Sequence, residues 1–322
     1  MSEAAATAAA GAAELAPRSH RVPLAILVVL VVVAPWVVYP VFVMKALCFA
    51  LFACAFNLLL GYAGLLSFGH ALFFGAASYA TAHAALEWGW RPELCLLFGA
   101  AVAAVLGLAT GLVAIRRQGI YFAMITLALA QMFFFFSLRA EFTGGENGIQ
   151  GVPRGMMFGF LDLSRTYVMY YVVAGIFLLG FAILHRTVHS PFGQVLTAIR
   201  ENEPRAISLG YKVNQYKLIA FVLSAGLAGL AGGTKALVFQ LASLTDVHWN
   251  TSGEVILMTL IGGLGTIFGP IAGAVFMAAL ENYLAQLGSW VTVTEGAIFV
   301  FCVIAFRRGM FGELSRILKR PL

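Results

Sequence analysis

The sequence predicts an all-α, polytopic membrane protein of about ten transmembrane helices, with discontinuous helices and an inverted five-plus-five repeat. Three observations lead there. Hydrophobic residues make up 61% of the 322 and charged residues only 11%, with a mean hydropathy of +0.92, which leaves too little polar surface to coat a water-soluble particle. Apolar runs near twenty residues recur across residues 24–306, with no polar segment long enough to fold alone. Lys and Arg are distributed unevenly between those runs.

Lipid offers no partner to backbone N–H and C=O groups, so each run closes its own hydrogen bonds as a helix. In order, the spans are 24–43, 46–62, 69–86, 94–115, 119–138, 166–184, 217–241, 253–267, 269–287 and 289–306. Residues 1–22 are Ala-rich and read as a disordered cytoplasmic tail, 23–308 as one transmembrane domain, and 309–322 as a second cytoplasmic tail. The first span is longer than a signal-peptide core and no small-residue cleavage site follows it, so it stays as an anchor. No repeated ten-residue alternation suggests membrane strands.

Charge sets the orientation. With the N-terminus inside, 14 of the 20 basic residues face the cytoplasm: Arg18, Arg21, Arg116, Arg117, five within 186–217, and Arg307, Arg308, Arg316, Lys319 and Arg320. Lys45, Arg91, Arg139, Arg154, Arg165 and Lys235 fall on the outer side. Reading residues 255–280 as one long helix would put the last five basic residues outside, so two crossings or a re-entrant pair are required there.

The apolar stretch 46–86 is too long for one crossing and must turn. Gly61, Gly64, Gly69 and Gly75 of GYAGLLSFGHALFFG supply the turn, as Gly262, Gly263, Gly265 and Gly269 with Pro270 do in GGLGTIFGP. Irregular backbone at membrane depth survives only against protein or water, which makes the breaks candidates for a translocation path. A single glycine serves equally as a close-packing contact. Asn57, Ser67, His70, Thr126 and Gln131 are the polar residues within these spans that suit a path. His70 suits a helix–helix hydrogen bond as well, and Thr126 a bond to its own helix. Glu254, Glu281 and Glu295 lie near span ends, where water or a cap satisfies a carboxylate.

Several functions are excluded. The net charge of +6 comes from scattered basic residues without interleaved stacking aromatics, which argues against nucleic acid. Cys48, Cys54, Cys95 and Cys302 lie in apolar runs without metal-type spacing. No GxxxxGK[ST] phosphate loop and no catalytic constellation occurs, so energy must come from elsewhere.

The inner loop 185–217 reads HRTVHSPFGQVLTAIRENEPRAISLGYKVNQYK. From Phe192 its apolar residues recur at helical spacing through Val195, Ile199, Ala206 and Leu209, with Pro204 and Gly210 as interruptions, which predicts a short amphipathic helix on the cytoplasmic face ending at Gly210. The mixed charges of Arg200, Glu201, Asn202 and Glu203 suit a protein partner better than anionic lipid.

AIRENE with its following Leu-Gly pair resembles the coupling segment of permeases from branched-chain amino acid ABC importers. GYAGLLSFGHALFFGAASY, GIYFAMITLALAQ, TGGENGIQGVP, LSAGLAGLAGG and GEVILMTLIGGLGTIFGPIAGA resemble the LivM-type pattern in the same order. The resemblance implies a permease subunit in the bacterial inner membrane, paired with a LivH-like permease, two ATP-binding subunits that use ATP and Mg, and a periplasmic substrate-binding protein. It implies no cofactor on this chain. It assigns ATPase coupling to Phe192, Gly193, Ile199, Arg200, Glu201, Asn202, Glu203, Ala206, Leu209 and Gly210. Thr143, Gly144 and Gly145 form either a binding-protein contact or a plain turn. Lys235 and LASLTDVHW depart from the pattern. Within the family, urea or short-chain amides are the alternative cargo; outside it, ion-coupled transport is the competing reading.

Overall fold

The computed structural model describes residues 21–284, 291–305 and 309–310. The tail before residue 21, residues 311–322, Arg18, Arg307, Arg308, Arg316, Lys319, Arg320 and the side chain of Glu295 lie outside the described residues.

The described helices are α1 (Arg21–Val37), α2 (Pro40–Asn57), α3 (His70–Leu86), α4 (Pro92–Ala114), α5 (Ile120–Arg139), α6 (Thr166–Val188), α7 (Pro191–Glu201), α8 (Glu203–Ser208), α9 (Val213–Phe239), α10 (Trp249–Gly262), α11 (Gly269–Leu284) and α12 (Val291–Ala305). Two short antiparallel ladders pair β1 (Ile149–Gln150) with β4 (Leu241–Ala242) and β2 (Met156–Met157) with β3 (Leu161–Asp162). The chain is an all-α membrane protein, and five of its helices (Pro40–Tyr62, Pro92–Ala114, Ile120–Arg139, Thr166–Val188 and Val213–Phe239) are each long and apolar enough to cross a bilayer.

The largest boundary difference from the sequence reading falls between the first two helices. The first helix begins at Arg21 and stops at Val37, not at residue 43, and the second begins at Pro40 rather than 46. Tyr39 is extended at ψ 122° with proline next in the chain, and the proline ring starts a new helix at its first position. Residues 249–284 form two helices that pack against each other, α10 and α11.

Helix α2 is the central column, packed on α6, α9, α10 and α11. Against α3 and α4 lies α9, and small residues set that approach. A Cβ on Gly232 would stand 2.0 Å from the Phe74 carbonyl oxygen, so the backbones of α9 and α3 touch.

The connections sort onto two ends of the bundle. On one, residues 63–69, 115–119, 189–212 and 263–268 meet: Gly64 packs on Arg200, Gln118 donates to Glu203 at 2.8 Å, and Gly265 bonds Asn57. Gly309 packs on Gly263 at the same end. On the other, residues 87–91 and 140–165 meet 240–248 through the β1–β4 ladder, the Glu93 contact to the Phe158 N–H and the Val152 N–H to Gln240 bond. These are the α7 face and the ladder face.

Candidate functional site

The two glycine breaks predicted from sequence meet each other. After Asn57, α2 widens into a π turn over Leu58–Tyr62 before the chain leaves helical geometry, and such single-turn widenings re-aim a helix end. Gly64 then adopts φ +72°, a left-handed value suited to glycine. In the second break Gly263 and Gly265 take φ +120° and +73°. Asn57 clamps one break to the other: its amide nitrogen donates to the Thr266 carbonyl at 2.8 Å and its oxygen accepts the Gly265 N–H at 3.1 Å. Gly61 permits this, because a Cβ there would stand 2.8 Å from the Gly265 nitrogen.

Arg200 joins α7 to this junction. Its guanidinium donates to the Gly61 carbonyl, and its stem covers Gly64, where a Cβ would lie 3.0 Å from the Arg200 Cγ. The same guanidinium stands 3.2 Å from where a Gly265 Cβ would be. One side chain thus touches both breaks. The sequence reading treated Arg200 as part of the outward docking run; the residue is exposed, but its guanidinium reaches back to the Gly61 carbonyl.

The loop 185–217, expected to hold one amphipathic helix, holds two. Ser190 caps α7 by accepting the Gly193 N–H, with Pro191 at the first helical position. Asn202, extended at φ −154°, caps α8 by accepting the Arg205 N–H at 3.0 Å, and Pro204 follows as a helix-starting residue. The α8 turn ends with Gly210 at φ +88°. Gly193, Ile199 and Ala206 are buried, and Phe192 stacks on Tyr216 at 5.6 Å. Glu203 pairs with Lys217 at 2.7 Å. The residues left facing outward include Glu201, Asn202, Ile207, Leu209 and Gly210, with Leu209 70% exposed.

The remaining polar candidates serve as interhelical ties. Ser67 accepts the Gly69 N–H at 3.2 Å in the turn just before α3. Thr126 donates to Ala123 in its own helix and accepts the Phe68 N–H, while its backbone lies against Gly69. His70 Nε2 shares a 2.9 Å hydrogen bond with Ser224, which donates to the Ala55 carbonyl, so α3, α9 and α2 are tied through one relay. Gly262 packs against Gly269 where α11 begins. Asn57, Ser67, His70 and Thr126 are all buried, so the cluster around the break is packed in this state.

At the ladder face Thr143 is turned inward, bonded to the Ser137 and Ala140 carbonyls, and Gly144 and Gly145 take φ +74° and +59°. A contact there rests on the surrounding loop rather than on Thr143. The loop borders a cleft of about 800 Å³ lined by His83, Glu87, Glu141, Phe142 and Gln150. Sequence reasoning missed the pair beside it: Lys235 on α9 bonds Asp246, which also accepts from Ser78 at 3.3 Å. Lys235 was visible as a charge in an apolar run, but its partner follows a chain reversal at Gln240, φ +54°.

The family described as "Branched-chain amino acid transport system / permease component" matches residues 41–306, which covers both breaks, α7 and α8, and the ladder face. The chain belongs to that family. Among its relatives, the high-affinity branched-chain amino acid transport system permease protein LivM of Escherichia coli (strain K12) is 27% identical over 278 residues, 79% of this chain and 65% of that protein. LivM of Salmonella typhimurium matches at the same identity and coverage. The ribose import permease protein RbsC of Bacillus subtilis (strain 168) is 31% identical over 190 residues, 56% of this chain and 58% of that protein. The chain therefore spans just under two-thirds of the length of the two LivM relatives. No solved structure matches it. The family places this permease component among transport proteins rather than catalytic enzymes.

Proposed function

We propose that this permease chain is the LivM-like subunit of an ATP-driven importer that carries branched-chain or related amino acids across the bacterial inner membrane. Its partners are a LivH-like permease, two ATP-binding subunits and a periplasmic substrate-binding protein. The chain crosses ten times, through α1 to α6 and α9 to α12, five helices on either side of residues 140–165. The α7 face is cytoplasmic. Support comes from agreement between two independent patterns: the basic residues cluster in the same connections that the contacts gather at one end. The five-plus-five count also suits an inverted repeat, although α10 and α11, at 14 and 16 residues, reach only about 21–24 Å.

The observation that carries the mechanism is Arg200. The outward face of α7 and α8, with Glu201, Ile207 and Leu209, docks on an ATP-binding subunit. A shift of α7 then moves Arg200, which pulls on Gly61, and Asn57 passes the displacement to Gly265 and Thr266. Two breaks with non-helical backbone move as one, opening and closing the packed polar cluster. Binding energy at the nucleotide becomes alternating access only if this link is intact. Glu281 and Asp246 are each held in an ion pair, which disfavours them as proton-coupling acids.

A second reading within the class concerns cargo. The likeness to RbsC over about half of this chain shows a shared scaffold among relatives with different named substrates, and urea or short-chain amides stay as the alternative.

The test separates docking from transmission. In proteoliposomes containing the assembled transporter, Arg200→Ala should keep the ATP-binding subunits attached yet cut substrate-stimulated uptake about tenfold or more. Leu209→Asp should instead release those subunits. Uptake that persists without ATP and follows a proton gradient would overturn the importer reading, and subunit loss on Arg200→Ala would overturn the transmission role.

A further inference from the structure

We propose that the junction between the end of α4 and the start of α9 is a binding site for one anionic phospholipid. Two adjoining cavities form it. The first, of about 460 Å³, is lined by polar groups that include Arg116, Gln118, Glu203, Lys212 and Asn214. The second, of about 150 Å³, is lined by Gly111, Leu112, Ile115 and Leu218. They share Ile115, Arg116 and Asn214 as a common wall.

The charges are asymmetric. Glu203 is already engaged, accepting from Lys217 at 2.7 Å and from Gln118 at 2.8 Å. Arg116 and Lys212 make no ion pair among the described residues. The polar cavity therefore presents two uncompensated cations beside a neutralised carboxylate. A phosphodiester between them gains two charge-assisted contacts, and Arg offers the planar fork that phosphate favours.

The apolar neighbour decides the source of that phosphate. Leu112 and Val113 are 51% and 56% exposed on an apolar helix that terminates at this level, so the second cavity opens toward the acyl region. A soluble anion or an acidic groove on a protein partner would use Arg116 and Lys212 and leave the Leu112–Leu218 cleft empty. A phospholipid uses both, with its headgroup at the cations and the start of one chain between α4 and α9. Basic pockets between spanning helices on one membrane side take anionic headgroups by this logic.

The site is independent of the cargo and of Arg200, and its test is a lipid-retention measurement. The full-length chain, co-expressed with its ATP-binding subunits, is purified in neutral detergent, supplied with phosphatidylglycerol and phosphatidylethanolamine, and read by native mass spectrometry. The native chain should retain phosphatidylglycerol over phosphatidylethanolamine by about tenfold, and millimolar inorganic phosphate should not displace it. Both Arg116→Gln with Lys212→Gln and Leu112→Trp should bring the preference near unity; the second keeps both cations and fills the apolar cleft. These are exposed positions, and unchanged thermal melting without added lipid verifies folding. Retention unchanged in either variant overturns the site. Displacement by phosphate makes it a soluble-anion site, and loss of co-purifying ATP-binding subunits with lipid preference intact makes it a protein docking surface; either result also overturns the proposal.

Discussion

The two ends of the bundle are fastened by different chemistry. At the α7 face the glycine breaks are held by Asn57 and Arg200 through bonds to backbone carbonyls and one N–H, with Arg200 still exposed. At the ladder face a largely buried ion pair between Lys235 and Asp246 ties α9 to the loop after it, and the β1–β4 strands tie that loop to residues 140–165. Bonds to neutral backbone groups cost little to exchange with other backbone groups or water. A buried charge must keep its partner, because separating the two leaves both desolvated. The first end is suited to movement and the second to holding still, which is the asymmetry that driving from one side requires.

The largest expected effect lies at the second end. Lys235 and Asp246 side chains are 14% and 6% exposed, so Lys235→Met or Asp246→Asn alone leaves a buried unpaired group and should destabilise the fold by about 3–5 kcal/mol. The double substitution should recover most of that, since it removes both charges together. Thermal unfolding in detergent of the single and double variants measures the coupling. Equal destabilisation by single and double variants would remove the ion pair from the list of fastenings.

Asn57→Leu comes next and tests the movable end. It leaves the Gly265 N–H and the Thr266 carbonyl without their side-chain partner, at a cost of about 1–3 kcal/mol. Gly61→Ala should act in the same direction, because its Cβ would stand 2.8 Å from the Gly265 nitrogen and force the breaks apart. Both variants should lose far more uptake than stability, whereas the Lys235 variants should lose uptake only in proportion to the folded fraction. A Gly61→Ala protein with normal ATP-driven uptake would show that the two breaks need not move together.

Much of this division was legible in the sequence, and the exceptions have physical causes. Apolar run length gave the helices to within a few residues except where Pro40 restarts the chain. Glycine content located both breaks, since left-handed backbone at Gly64 and Gly265 has a strong residue preference. Arg200 could be placed on a short cytoplasmic-loop helix but its bonding target could not, because helical periodicity says which face a residue occupies and nothing about a carbonyl 139 positions earlier in the chain. The single helix expected over that loop became two, although Asn202 followed by Glu203 and Pro204 is a legible capping signal. The Lys235–Asp246 pair escaped because its members lie on either side of a chain reversal whose turning residue, Gln240, is not glycine.

Lys45 supplies the smallest effect and the control for the whole contrast. It pairs with Glu281 at 2.6 Å, joining α2 to α11, and the two side chains are 32% and 21% exposed. The same ionic chemistry as Lys235–Asp246 is here partly solvated, so side-chain entropy and screening offset most of the attraction. Lys45→Gln should therefore cost about 0.2–1 kcal/mol, and raising the salt concentration should shrink that difference further, while the Lys235→Met penalty should barely change. Thermal melting of both variants at low and high salt makes the comparison directly. Should Lys45→Gln prove as costly as Lys235→Met and as indifferent to salt, burial would not be what makes the ladder face rigid, and its rigidity would have to come from the strands.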